Sequence, residues 1–205
     1  MPPKPLAPSK RWFDLIVAGL GLLLLSPLLL LISLAIKLTS RGPIFYIRPR
    51  VGRDGHEFPF YKFRTMVVNA EGQGLGIEVA HNDQRITRVG QWLRRWSFDE
   101  LPQLLNVVRG EMSLIGPRPS LPDQVARYTP DQRQRLAVRP GITGWAQVNG
   151  RNDIDWAARI QLDCWYIEHW SWRLDGLILW RTIGAILRPV GIYGRDGVAK
   201  DLRSK

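Results

Sequence analysis

The strongest feature in the pattern of apolar and polar positions is Leu15 to Ile36, 22 consecutive residues without a charge. As one straight helix this run is ~33 Å long, close to the ~30 Å hydrocarbon core of a bilayer. It is too long for the apolar region of a secretory signal and no Ala-x-Ala follows it, so it is expected to stay in the mature protein. Ser26-Pro27 stands near its middle. Proline removes a backbone donor and crowds the preceding turn, and the Ser26 hydroxyl can satisfy a carbonyl left free. Lys10 and Arg11 precede the run, and Lys37, Arg41, Arg48 and Arg50 follow it. Positive residues favour the cytoplasmic side, and here both flanks are positive. A helix broken at Ser26-Pro27 into two legs of about 11 residues, each ~16 Å long, would reach mid-bilayer and return. The alternative is a plain spanning helix with a tolerated proline.

Further along, Pro43 to Met66 alternates apolar and polar positions. Phe45, Ile47, Phe58, Phe60, Tyr61 and Phe63 read as strands around an Arg53-Asp54-Gly55 hairpin turn. The loop with Gly72, Gly74 and Gly76 has no strand before it and no helix at the spacing of a phosphate cradle, so it is read as flexible. Gln84 to Trp96 has helical spacing, with Ile86, Val89, Trp92, Leu93 and Trp96 on one face. Pro102 to Arg109 reads as a short helix ended by Gly110. Thr129-Pro130-Asp131-Gln132 is a helix start that runs until shortly before Arg139-Pro140-Gly141. Asp155 to about Trp170 and Asp175 to Leu187 are the last two helices expected.

The fold class expected is therefore mainly α with a small β-hairpin or sheet, α+β, and membrane-associated. A disordered lead-in over residues 1–9 would precede a re-entrant helix hairpin over 10–40. A cytoplasmic catalytic domain with interfacial amphipathic helices would fill 41–205.

Composition narrows the partners. Lys plus Arg number 29 against 18 Asp plus Glu, a net charge of +11. That surplus points to an anionic partner. Nucleic acid is not expected, because the uncharged run argues against a soluble basic binder. The single cysteine, Cys164, excludes an internal disulfide and reads as a small buried hydrophobe. Of nine tryptophans, Trp165, Trp170, Trp172 and Trp180 fall in or between the last two helices, where they can lie at a membrane interface or fill a core.

Three clusters carry the candidate chemistry. In Ser97-Phe98-Asp99-Glu100-Leu101-Pro102-Gln103, two adjacent carboxylates precede a helix start. Such a pair can hold Mg²⁺ together with substrate phosphates, or one carboxylate can attack phosphorus. Ser97-x-x-Glu100 is equally a capping box, although Pro102 would then cost that helix a hydrogen bond. In Ile115-Gly116-Pro117-Arg118-Pro119, two prolines stiffen an arginine suited to phosphate. In Arg139 to Asn152, glycines, the amides of Gln147 and Asn149, and Arg151 can line a nucleotide diphosphate site. The three histidines, His56, His81 and His169, have no metal spacing.

Taken together, these stretches resemble the bacterial sugar transferases, the monotopic phosphoglycosyl transferases. The resemblance is carried by Lys10-Arg11 with Asp14, Ser26-Pro27, Phe60 to Met66 and Arg85 to Gly90. It continues through Asp99 to Leu104, Ile115 to Pro119, Pro140 to Gly144, Ala146 to Arg151 and Asp163 to Tyr166, in the family's order from about residue 10 to 190. The likeness implies that Ser26-Pro27 breaks a re-entrant membrane helix. It implies that Asp99 attacks the β-phosphate of a UDP-sugar, releasing UMP, and that Glu100, with Asp99, holds Mg²⁺. Polyprenyl (undecaprenyl) phosphate would then take the phosphosugar. Arg94, Arg118 and Arg151 match positions expected near phosphates, and Lys62, Gln147 and Asn149 fall in motifs expected to meet substrate. The implied place is the cytoplasmic face of the bacterial inner membrane, among inner-leaflet phospholipids, with a homo-oligomer left open. Trp96 and Phe98 stand where smaller residues are usual, and Glu111 where Asp is common. Without the family's long N-terminal membrane half, the chain resembles the minimal catalytic form. A non-catalytic membrane adaptor and a polyprenyl diphosphate hydrolase are the rival readings.

Overall fold

The structure is a computed structural model that describes residues 7–188 and 198–199. The chain opens on α1 (Pro8–Thr39), one continuous helix of 32 residues that passes through Pro27, without the break into two legs expected at Ser26-Pro27. Residues 1–6 of the expected lead-in lie outside the described residues, and Pro8 and Ser9 already belong to α1. Pro27 cannot donate to the carbonyl of Leu23, and the Ser26 hydroxyl donates to that oxygen instead, at 2.8 Å.

One stripe of α1 packs on the rest of the chain along its whole length. Ala18 meets Phe58, Phe60, Leu104, Val107 and Met112. Ile32 and Ile36 meet Phe63 and Leu93. Near the start, Lys10 reaches Asp175 at 2.6 Å, and Asp14 accepts the Leu114 amide at 3.0 Å. The opposite face, with Leu20, Leu23, Leu24, Leu30, Leu31 and Leu34, is exposed. It has no polar partner among the described residues, and apolar surface of this extent marks an interaction site.

After α1, β1 (Phe45–Val51) and β2 (Glu57–Phe63) form the expected antiparallel hairpin around a 3-10 turn at Arg53–Gly55. Next, β3 (Val79–Ala80) pairs with β6 (Val198–Ala199). The glycine loop between β2 and β3 is not loose as expected. The Arg85 guanidinium donates to the carbonyls of Ala70, Gln73 and Gly76, each at 2.7 Å, and to Glu78 at 2.6 Å, while pairing with Asp83. One planar five-donor group thus closes the loop.

The helix α2 (Arg88–Arg95) is shorter than its spacing predicts. Ile86 is taken by a β-bridge to Met66, and Thr87 caps the helix by accepting the Gly90 amide at 2.9 Å. A 3-10 turn at Phe98–Glu100 leads into α3 (Gln103–Arg109), which ends at Gly110 in the left-handed region, φ 85°. Then β4 (Ser113–Ile115) runs parallel to β5 (Gly141–Thr143). Between them lie α4 (Pro122–Val125) and a 3-10 stretch, Gln132–Ala137. The Thr129–Gln132 box forms reciprocally, at 3.1 and 3.3 Å. An α-helix does not follow, because Arg135 is drawn inward to Asp163.

The chain closes with α5 (Trp145–Val148), a 3-10 turn at Arg151–Asp153, α6 (Trp156–Glu168) and α7 (Trp172–Leu187). Asp155 and Ser171 cap the last two helices, so α7 begins three residues earlier than expected. The tryptophans divide between the two roles considered. Trp180 is 73% exposed on α7, whereas Trp170 packs on the core and donates to Asp175 at 3.1 Å. The architecture is mostly helical with small two-stranded sheets, α+β as expected.

Candidate active site

The carboxylate pair owes its position to a sharp turn. α2 ends at Arg95, and Ser97 then adopts the left-handed region at φ 57°. An N-cap needs an extended residue whose oxygen accepts an amide, and Ser97 makes no such bond. The capping-box alternative is therefore not what the chain adopts. Phe98 is pinned edge-on against Trp92, ring centres 5.2 Å apart. Asp99 is left 5% exposed, with Glu100 beside it.

Two cations from distant segments meet this pair. Lys62, on β2, lies 2.9 Å from Asp99 Oδ2 and 3.1 Å from Glu100 Oε1. Arg118 grips Glu100 with both terminal nitrogens, at 2.8 and 3.3 Å. Its loop is held firmly: the Pro117 carbonyl accepts the Gly141 amide at 2.8 Å, and the Arg118 carbonyl accepts from Arg135 at 3.0 Å. Burial alone would raise the Glu100 carboxyl. The charges of Arg118 and then Lys62 outweigh it and hold Glu100 below the ordinary carboxylate range.

Of the other expected residues, Arg151 sits nearby. Burial lowers it from the ordinary arginine value, with the charges of Glu100 and Arg118 also felt there. It opens a cleft of about 590 Å³ lined by Gln147, Gly150, Trp180, Arg181 and Arg188. Both amide atoms of Gln147 are buried without a partner among the described residues. Asn149 is engaged, donating to the Trp145 carbonyl at 2.8 Å and accepting from Arg181 at 2.9 Å. Arg94 donates to Thr65 Oγ1 at 2.8 Å, which ties α2 to the end of β2. Ser26 and Pro27 are exposed in the middle of α1. Glu111 accepts from Asn106 at 2.6 Å.

The sequence reading missed two groups. Arg50 was counted only as a flanking charge of the apolar run, yet its charge acts on both Arg118 and Glu100. Arg159, on α6, lies in the field of Arg118. The period-2 spacing of Tyr46, Arg48 and Arg50 was the available signal, since it sets all three on one face of a strand.

The site thus joins a buried aspartate, an adjacent glutamate and several arginines. Asp99 Oδ2 and Glu100 Oε1 converge on one cation position, now held by the Lys62 ammonium. That arrangement suits a carboxylate nucleophile acting on an anionic substrate. Among the described residues no group of three or more His, Cys, Asp or Glu could hold a metal by itself.

The family model described as bacterial sugar transferase matches residues 6–189. The chain belongs to the bacterial sugar transferase family. Within that family it is 43% identical over 193 residues to the uncharacterized sugar transferase EpsL of Bacillus subtilis, covering 94% of each chain. It is 42% identical over 200 residues to the undecaprenyl-phosphate galactose phosphotransferase of Salmonella typhimurium, covering 90% of this chain and 41% of that one. It is 46% identical over 186 residues to the undecaprenyl-phosphate glucose phosphotransferase of Komagataeibacter xylinus, covering 85% of this chain and 35% of that one. This sugar transferase thus spans nearly all of EpsL and less than half of the other two.

Proposed function

We propose that this chain moves a sugar-1-phosphate from a UDP-sugar to undecaprenyl phosphate, releasing UMP by way of a phosphosugar-aspartyl intermediate. The observation that carries the reading is the convergence of Lys62 and Arg118 on the Asp99–Glu100 pair. The names of these two relatives supply the acceptor, undecaprenyl phosphate, and the transfer of a sugar phosphate to it.

In the first step an Asp99 carboxylate oxygen forms a bond to the β-phosphorus, and the bond from that phosphorus to the bridging oxygen breaks. UMP leaves with the electron pair. In the second step an oxygen of the lipid phosphate attacks the same phosphorus, and Asp99 is regenerated as a carboxylate. Both steps bring like charges together. Lys62 and Arg118 offset this repulsion at the place where charge builds up in the transition state. Glu100, with Asp99, would hold Mg²⁺, since their oxygens already converge on a cation. When bound, that ion would neutralise phosphate charge.

The same reading places the enzyme on the cytoplasmic face of the inner membrane, with the outer face of α1 in the lipid. Lys10 at one end of α1 and Ile36 at the other pack on the same body of protein. A helix docked at both ends favours entry into one leaflet over crossing. In intact cells, tags at both termini would be reachable only from the cytoplasm. One periplasmic terminus overturns the re-entrant arrangement.

The function is tested by UMP release from a panel of UDP-sugars with undecaprenyl phosphate and Mg²⁺, for wild type and Asp99→Asn. The expected result is release by wild type with one preferred sugar, falling by on the order of 10⁴-fold or more in the variant. No UMP from any sugar with folded wild type overturns the proposal. Inorganic phosphate released from a polyprenyl diphosphate without nucleotide would replace it with hydrolysis.

A further inference from the structure

We infer that Arg50 is a direct ligand of substrate phosphate: with Arg118 and Arg151 it forms a seat for a phosphate monoester on the Glu100 side of the site. The inference rests on the proposed transfer reaction.

Placement comes first. Directly opposed residues of an antiparallel pair share a sheet face. Tyr46 opposes Lys62, Arg48 opposes Phe60 and Arg50 opposes Phe58. Arg50 therefore lies on the face that sends Lys62 to the carboxylates. The next residue, Val51, donates its amide to the Ser120 carbonyl at 2.9 Å, which ties this end of β1 to the segment carrying Arg118.

Arg50 also has no ion-pair partner among the described residues. Its guanidinium lies 5.4 Å from the centre of the Phe60 ring, and its buried Nε has no hydrogen-bond partner. Neighbouring arginines differ: Arg48 pairs with Glu71, Arg85 with Asp83 and Arg135 with Asp163. A half-buried cation with no ion-pair partner is costly unless a ligand completes it. Burial and then the charge of Arg118 push Arg50 down to about 10, with Tyr46 and Glu100 acting in the other direction.

Arg151 supplies the third side. It is held in the left-handed region at φ 50°, a conformation that a non-glycine residue retains only when its surroundings impose it. Arg118 hydrogen-bonds Glu100, whereas the cation paired with Asp99 is Lys62, and the charges of Glu100 and Arg118 are felt at both Arg50 and Arg151. The seat therefore sits on the Glu100 side of the pair, away from the attacking carboxylate. In an in-line displacement that is where the departing nucleotide phosphate lies, and where the lipid phosphate enters afterwards. Both are phosphate monoesters.

The test uses the full chain in lipid nanodiscs with Asp99→Asn as background, so that no turnover occurs. UMP affinity is measured by calorimetry, and a short-chain polyprenyl phosphate is then titrated. Added Arg50→Met keeps the packing over Phe60 and removes the charge. It is expected to weaken UMP about tenfold, with Arg50→Lys intermediate, because charge-assisted pairs to phosphate are strong. Thermal melting should be unchanged or raised. Weakening of UMP alone assigns the seat to the nucleotide, of the lipid phosphate alone to the acceptor, and of both to a shared position. Unchanged affinity for both overturns the inference while leaving the transfer reaction standing. A background protein that binds no UMP overturns the UDP-sugar reading, and the lipid arm then decides Arg50 by itself.

Discussion

Lys10 with Asp175, and Arg135 with Asp163, are buried ion pairs in which each carboxylate meets one cation. Around Asp99 and Glu100 the same residue types do not balance. Lys62 and Arg118 already neutralise the two carboxylates, and Arg50 and Arg151 remain in the same field. In the first region Asp163 Oδ1 is the one atom of the two pairs that is buried without a partner among the described residues. Asp175 accepts from Lys10, from Tyr166 at 2.7 Å and from Trp170 at 3.1 Å. In the second, Arg50 Nε and both amide atoms of Gln147 are buried and unpartnered. The charges that join distant parts of the fold pair one to one within the chain, whereas the cations around Asp99 and Glu100 outnumber the two carboxylates.

The largest expected effect breaks the balanced region. Asp175→Ala leaves Lys10 buried and unpaired, and should lower the unfolding free energy by roughly 3–5 kcal/mol. Turnover per folded molecule should stay within about twofold, checked by denaturant titration beside the UMP assay. Arg118→Ala should do the reverse: a loss on the order of 10²–10³-fold in kcat/KM, with stability within about 1 kcal/mol of wild type. A large stability loss there would erase the distinction between the regions. Smaller still, Gln147→Leu removes a buried unsatisfied amide and should raise stability by about 1 kcal/mol. The KM for the UDP-sugar should rise several-fold in the same variant.

The last prediction sharpens the comparison through pH. Glu100 is held below its ordinary value of 4.5, so its contribution to stability is present above that value and lost as the pH falls through the lower folded one. Asp163 is pushed by burial, against Arg135, from 3.8 up to about 6. Its contribution is complete below 3.8 and lost as the pH rises through about 6. Unfolding titrations of wild type against Glu100→Gln and Asp163→Asn should therefore show opposite slopes, stability rising with pH below 4.5 for Glu100 and falling with pH between 3.8 and about 6 for Asp163. Slopes of the same sign would mean that the two carboxylates sit in equivalent environments.

How much of this was legible in the chain depends on range. The Ser26 hydroxyl taking over a carbonyl beside Pro27, the hairpin turn at Arg53–Gly55 and the stop at Gly110 are all decided within about four residues. Each was read from the sequence. Segments whose ends depend on remote partners were read less well. Ile86 left its helical pattern for a bridge to Met66, and the stretch after Thr129 tightened where Arg135 reaches Asp163. The glycine loop looked free because nothing in its own residues shows that Arg85 will fill it.

The sequence by itself determined that the chain carries an apolar helix with a proline at its middle, an Asp99–Glu100 pair after a turn and a surplus of arginine. These follow from neighbouring residues and from composition. Only the tertiary structure decided which cations are neutralised. Lys10 and Asp175 are 165 residues apart in the chain, and Arg118 and Glu100 are 18 apart. Arg50 shares a sheet face with Lys62 and neighbours the segment carrying Arg118 because β1 pairs in one register with β2 and bridges to Ser120. Electrostatic pairing depends on distances of a few ångströms between side chains, and those distances exist only once the chain has folded.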